Sequence, residues 1–164
     1  MSKAKAQTTQ PARERILETA SDLFANQGYR ATGINEVIDK SGVAKATFYN
    51  HFPTKDDLCL AYLKSRNTFE LDSIKAFVAR RRSPLGRFMG VIESLEPWLK
   101  ANDLRGCGFL NIVAEEPDPK SPLRKEGRKH YQGMRTLIRE LTETLVEAEP
   151  NLSNLDVDLS LIHI

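Results

Sequence analysis

Apolar residues recur at helical spacing along most of the chain. Ile16, Leu17, Ala20, Leu23 and Phe24 repeat every three or four positions and form one stripe. Pro11 suits a first helical turn and Gly28 lies just past the last periodic residue, so the spacing predicts a first helix from Pro11 to Gln27. Ile34, Val37 and Ile38 mark a short second helix from Ile34 to Lys40, which Ser41-Gly42-Val43 interrupts. Phe48 and Phe52 anchor a third from Lys45 to His51, broken by Pro53 and Thr54. Thr54 is a good N-cap, and Asp57 three residues on gives a start like a capping box. The long fourth helix carries Leu58, Ala61, Tyr62, Ser65, Phe69, Ile74, Phe77 and Val78 and runs to about Arg80–Arg82, where cations favour a helix C-terminus.

Ser83-Pro84 opens a fifth helix, Ser83 to Asn102, striped by Phe88, Val91, Ile92, Leu95 and Leu99, with Pro97 as its expected kink. A short apolar helix follows from Phe109 to Glu116. After Pro117, Pro119 and Pro122 a last amphipathic helix runs from Ser121 to Glu149, and Pro150 ends it. No segment alternates as a strand does, so the fold class is all-α.

Composition narrows the function classes. The chain has 164 residues, 40% hydrophobic and 28% charged, with a mean hydropathy of −0.43. These are globular values. With 24 Lys and Arg against 22 Asp and Glu the net charge is only +2, so any nucleic-acid binding comes from local charge placement. Two cysteines, Cys59 and Cys107, make no disulfide framework, and no Cys/His spacing suggests a metal site. There is no apolar stretch long enough to span a bilayer and no apolar signal core near Met1, which points to a cytoplasmic protein without a membrane partner. Residues 1–10 read as a polar arm, with Lys3 and Lys5 within reach of phosphates if DNA is bound.

Two short helices joined by a glycine-containing turn, the second rich in aromatics, have the form of a helix-turn-helix. Val37, Val43 and Phe48 pack the pair, leaving Lys45, Ala46, Thr47, Tyr49, Asn50 and His51 on the opposite face. That face holds a cation, a hydroxyl, a phenol, an amide and an imidazole, with no acid, which suits a DNA surface. Over residues 1–55 eight cations stand against five acids, so the basic excess sits in this part of the chain. Phe24, Tyr29, Phe48 and Phe52 read as core aromatics rather than readers.

The stretch Gly28-Tyr29-Arg30-Ala31-Thr32-Gly33-Ile34-Asn35-Glu36-Val37-Ile38, followed by Ser41-Gly42-Val43-Ala44-Lys45-Ala46-Thr47-Phe48-Tyr49-Asn50-His51-Phe52-Pro53-Thr54-Lys55-Asp56-Asp57-Leu58, resembles the TetR family of bacterial transcriptional regulators. The resemblance covers about the first third of the chain. It implies an N-terminal three-helix helix-turn-helix domain joined by a long helix to a helical ligand-binding and dimerisation domain. It also implies roles. Thr32 matches a phosphate-contacting Thr; Lys45, Ala46, Thr47 and Asn50 lie where base edges are read. Tyr49 and His51 match a backbone-gripping aromatic and imidazole, and Lys55 matches a phosphate-contacting Lys. Two positions depart from the pattern. Ala46 stands where the family often has Gly and offers a methyl to a thymine, and Gly33 stands where it often has a hydroxyl.

The C-terminal half resembles the family only in outline. Candidates for an effector pocket are Phe88, Met89, Ile92, Trp98, Phe109, Tyr131 and Met134, with Cys107, although each also reads as an ordinary core residue. Cys107 lies beside Arg105 near a helix start, where a thiolate is favoured, so it reads either as a packing residue or as a sensor thiol. Cys59 reads as core. Glu115 and Glu116 read as acids ending a helix and His130 as a histidine on a solvated face, and no nucleophile–base pair or phosphate-binding loop is present.

The expected function is a ligand-responsive repressor that binds a palindromic double-stranded DNA operator as a homodimer, with an unidentified small-molecule effector, no cofactor and no catalytic residue. An activator, or a redox- or electrophile-sensing regulator using Cys107, is the alternative, and an α-helical enzyme the remote one. The expected organisation is an arm over 1–10, a DNA-binding domain over 11–57, a regulatory and dimerisation domain over 58–158 and a non-native tail over 159–164. Those last six residues, Leu159-Ser160-Leu161-Ile162-His163-Ile164, match the translation of CTG TCT CTT ATA CAC ATC, which resembles a transposon mosaic-end adapter of sequencing libraries. On that reading the chain is cut inside its dimerisation half and 164 residues is a lower bound on its length.

Overall fold

The computed structural model describes residues 10–154 and residue 157. The expectations for the arm over 1–9 and for the tail over 159–164 therefore lie outside the described residues. Helices in chain order are α1 Ala12–Gln27, α2 Ile34–Ser41, α3 Lys45–His51, α4 Lys55–Ala79, α5 Pro84–Ala101, α6 Gly108–Glu115 and α7 Pro122–Ala148, followed by a 3-10 turn over Pro150–Leu152. There is no strand among the described residues, as the pattern predicts.

The caps act where the sequence placed them. Gly28 ends α1 at φ +89°, and Gly42 ends α2 in the left-handed region at φ +65°, conformations that favour glycine. Ahead of α4, Thr54 and Asp57 form a reciprocal capping box: the Asp57 N–H donates to Thr54 Oγ1 at 3.1 Å and the Thr54 N–H to Asp57 Oδ2 at 3.1 Å. Ser83 Oγ accepts from the Gly86 N–H, with Pro84 in the first turn of α5.

Two compact units result. One contains the chain up to Ser65 together with Cys107–Gly127. Its core gathers Ile16, Leu23 and Phe24 of α1, Val37 of α2, Val43, Phe48, Leu58 and Leu63, and then Phe109, Ile112 and Leu123 from farther along the chain. Aromatic edges pack inside it, with Phe24 and Tyr62 at 5.5 Å and Phe48 and Phe52 at 6.3 Å between ring centroids.

The other unit contains Arg66–Gly106 and the described residues from Arg128. Here α5 differs from its predicted stripe. Gly90 and Ser94 are its buried residues, whereas Ile92 is 53% and Leu95 48% exposed. The physical reason is close packing. A Cβ at Gly90 would lie 3.3 Å from Val78 Cγ1, so the small face of α5 is the one that fits against α4. Phe69, on the predicted stripe of α4, is likewise exposed, at 65%. α5 continues through Pro97 to Ala101.

Burial sets the expected response to truncation. Phe48→Ala removes a fully buried ring and should cost about 3–5 kcal/mol, whereas Phe69→Ala should stay within about 0.5 kcal/mol. Urea unfolding followed by far-UV circular dichroism measures both.

Candidate nucleic-acid interface

The exposed face of α3 is built by what α3 hides. Phe48 points into the core with no exposure, so the residues around it on the helix turn outward. Lys45, Ala46, Asn50 and His51 are exposed, Tyr49 is 39% exposed and Thr47 is half-buried. The Tyr49 ring leans edge-on against Phe48, 5.3 Å between centroids, which fixes its direction. No acid occurs within α3, and five of its six predicted residues, Lys45, Ala46, Tyr49, Asn50 and His51, are exposed around the helix on the sides away from Phe48.

Thr32 is buried and Lys55 half-buried, and both make contacts within the turn between α1 and α2. Thr32 is 1% exposed; its hydroxyl donates to the Gly28 carbonyl at 2.7 Å and takes a longer bond from Gln27 Nε2. It closes the turn between α1 and α2. Lys55 is half-buried at the first turn of α4. Its ammonium lies 4.4 Å from the Tyr29 ring centroid and donates to the Arg30 carbonyl at 3.2 Å. Desolvation holds its pKa below the ordinary lysine value. Tyr29 in turn donates its hydroxyl to Asp56, and burial with that bond pushes the phenol pKa up.

One residue of this arrangement, read from the sequence only as an acid ending a helix, has a partner the sequence does not show. Glu115, the last residue of α6, accepts from two successive backbone amides of the α1–α2 turn. Oε1 takes the Tyr29 N–H at 3.2 Å and Oε2 the Arg30 N–H at 2.6 Å. No local signal announces a contact between residues 86 positions apart.

Residues 16–62 match the family described as "Bacterial regulatory proteins, tetR family". The crystal structure of SCO4454, a TetR-family transcriptional regulator from Streptomyces coelicolor, is 34% identical and superposes with a TM-score of 0.79, covering 88% of this chain and 73% of that one. The chain belongs to the TetR family. An uncharacterized HTH-type transcriptional regulator in the lacX 3′ region of Lactococcus lactis subsp. lactis is 26% identical over 109 residues, 63% of this chain and 54% of the relative. The HTH-type transcriptional repressor KstR2 of Mycolicibacterium smegmatis is 28% identical over 94 residues, 54% of this chain and 46% of the relative. The chain thus spans about half the length of these two regulators.

Of the predicted effector residues in this TetR-family chain, Cys107 and Phe109 belong to the first unit and the other six to the second. Phe109 is core of the first unit, and Cys107 packs partly buried beside it at the N-cap of α6. Cys59 is fully buried, and burial raises its thiol pKa. Met89, Ile92 and Tyr131 are exposed, and Phe88 and Met134 are half-buried. Of the eight, Trp98 alone lines a cleft of about 370 Å³ in the second unit. Its walls come from Phe69, Ile74 and Phe77 of α4 and Pro97, Trp98 and Ala101 of α5. Its polar groups are Ser73, Ser94 and the trio Arg66, Glu70 and Asn102. Arg66 Nη2 donates to Asn102 Oδ1 at 3.0 Å and pairs with Glu70 Oε1 at 2.7 Å. Desolvation raises the Glu70 pKa against the pull of Arg66.

His130 corrects the expectation of a solvated histidine. It is buried, with Nδ1 at 2.9 Å from Asn67 Oδ1 and Nε2 at 3.7 Å from Glu70 Oε2. Burial and the nearby Arg66 lower its pKa, which favours the neutral ring. The face of α7 carrying His130 is therefore turned inward, against the charge pattern that suggested otherwise.

The buried position of Thr32 makes its hydroxyl a structural group. Thr32→Val should lower stability by about 1–2 kcal/mol by leaving the Gly28 carbonyl without its donor, and Thr32→Ser should restore most of it. Urea midpoints of the two variants measure the difference.

Proposed function

We propose that this chain is the DNA-binding part and a portion of the regulatory part of a transcriptional repressor that reads a palindromic operator as a homodimer. The observation that carries this reading is the acid-free exposed face of α3. Seven residues span roughly 10 Å, and a helix with its side chains fits a major groove about 12 Å wide. Lys45, Thr47 and Asn50 supply donors and acceptors for base edges, and Ala46 supplies a methyl contact. Tyr49 and His51 take sugar–phosphate positions. Lys55 serves first as the brace of the α1–α2 turn and adds its positive charge near the backbone. The repressor reading follows the name of one relative, and another relative is named as an activator, so the likeness by itself supports transcriptional control in either direction.

The effector site in this proposal is the Trp98 cleft, large enough for a small molecule and lined mostly by apolar groups with a few polar ones. Binding there would select one of two conformations of the regulatory part and so change operator affinity. No helix among the described residues is long and apolar enough to cross a membrane. Enzymatic chemistry is not part of the proposal, since the relatives named above are transcriptional regulators.

Selection of bound DNA from a random pool tests the reading directly, and an inverted repeat should emerge. Lys45→Ala should weaken binding to it by about 1–3 kcal/mol and relax selection at the base pair it reads, whereas unchanged affinity and selectivity would remove Lys45 from base readout. The chain has a single tryptophan, so an effector that releases the operator should quench or shift Trp98 emission. An effector that leaves this emission unchanged binds elsewhere.

A further inference from the structure

We propose that Glu115, which lies outside the helix-turn-helix segment, is a positioning residue for DNA binding. Its carboxylate holds the α1–α2 turn, and with it Lys55 and the α3 face, in the arrangement that meets the operator. This inference rests on the DNA-binding reading above.

Both oxygens of Glu115 are spent on the turn, one on the Tyr29 N–H and one on the Arg30 N–H. A carboxylate accepting backbone N–H groups makes charge-assisted bonds, among the stronger ones in proteins. The site is shaped for it. Gly28 at φ +89° delivers the two amides, and any Cβ at that position would meet Oε1 at 2.6 Å. The turn is then held from its other side. The Arg30 carbonyl accepts from Lys55 Nζ, and the Tyr29 ring and hydroxyl engage Lys55 and Asp56 at the start of α4. Arg30 is thus gripped at its N–H by α6 and at its C=O by α4.

α6 is itself fixed at the same end. Arg124 of α7 donates through Nη1 to the Val113 carbonyl at 3.2 Å and the Glu116 carbonyl at 2.8 Å, where the helix leaves acceptors unmatched. A continuous polar path therefore runs from Arg124 through the end of α6 to the turn and to Lys55. A displacement of α6 by about an ångström would exceed hydrogen-bond range at both amides and free the turn.

The test uses the full chain, its selected operator, and amide hydrogen exchange. In Glu115→Ala, exchange at the Tyr29 and Arg30 amides should rise at least about tenfold while the Phe24 and Val37 amides stay protected, and operator affinity should fall about tenfold with helicity retained. Glu115→Gln keeps one acceptor oxygen and should fall between wild type and Glu115→Ala in both affinity and amide exchange, which a general loss of fold would not allow. Gly28→Ala should also weaken binding, and its loss combined with Glu115→Ala should be smaller than the product of the two single losses. Operator affinity of Glu115→Ala within about twofold of wild type, with both amides still protected, would overturn the proposal. If Glu115→Ala loses its helical signal, Glu115→Gln decides: faster exchange at the two amides with a partial affinity loss supports the proposal, and wild-type values for both overturn it. Failure of the wild-type chain to select any DNA would instead overturn the DNA-binding reading, and the exchange data would still report on the clasp.

Discussion

A helix of seven residues makes fewer than two turns, and one that short does not persist in water without tertiary support, because nucleation costs more than so few hydrogen bonds return. α3 is such a helix, and the DNA-binding reading depends on it. What supports it is the burial of Phe48, seated with Val37, Val43, Phe52 and Leu58. That burial is worth a few kcal/mol by area, roughly what a full aromatic side chain contributes. The same contact decides which side of α3 faces out. Because Phe48 points inward, Lys45, Ala46, Tyr49 and Asn50 point outward, so packing and recognition are two sides of one constraint.

Around this apolar anchor lies a polar frame. Gly28 and Gly42 turn the chain where no other residue fits without strain. Thr32 closes the first turn internally, Lys55 and Tyr29 tie it to α4, and Glu115 ties it to α6. Each bond is modest by itself, since exchange with water leaves a net gain near 1 kcal/mol for a typical hydrogen bond. Their joint effect is to remove freedom from the segment that orients α3. Two residues that the family resemblance casts as phosphate contacts, Thr32 and Lys55, are spent first on this frame.

Much of the fold was legible because it is local. The 3.6-residue period of α1, the Thr54–Asp57 box and the Ser83-Pro84 start act over a few residues, and all appear where expected; the αL glycine stands after α2 at Gly42 rather than after α1 at Gly28. The α3 surface was legible for the same reason: one buried aromatic fixes the direction of its neighbours. What could not be read depends on distant partners. Ile92 and Leu95 follow a helical apolar pattern, yet the close approach of α4 selects the Gly90–Ser94 face instead. His130 sits among charged residues in sequence and is buried in space against Asn67 and Glu70. Glu115 resembles any acid at a helix end until the turn 86 residues away is placed against it.

The most direct test of the central claim is an amide chemical-shift titration of the chain with its selected operator. The account predicts that the largest perturbations fall on Lys45 to His51, with smaller ones at the N-terminal turn of α4, while the amides of the Trp98 cleft move least. Perturbations concentrated in the second unit, with Lys45 to His51 unchanged at saturation, would contradict it.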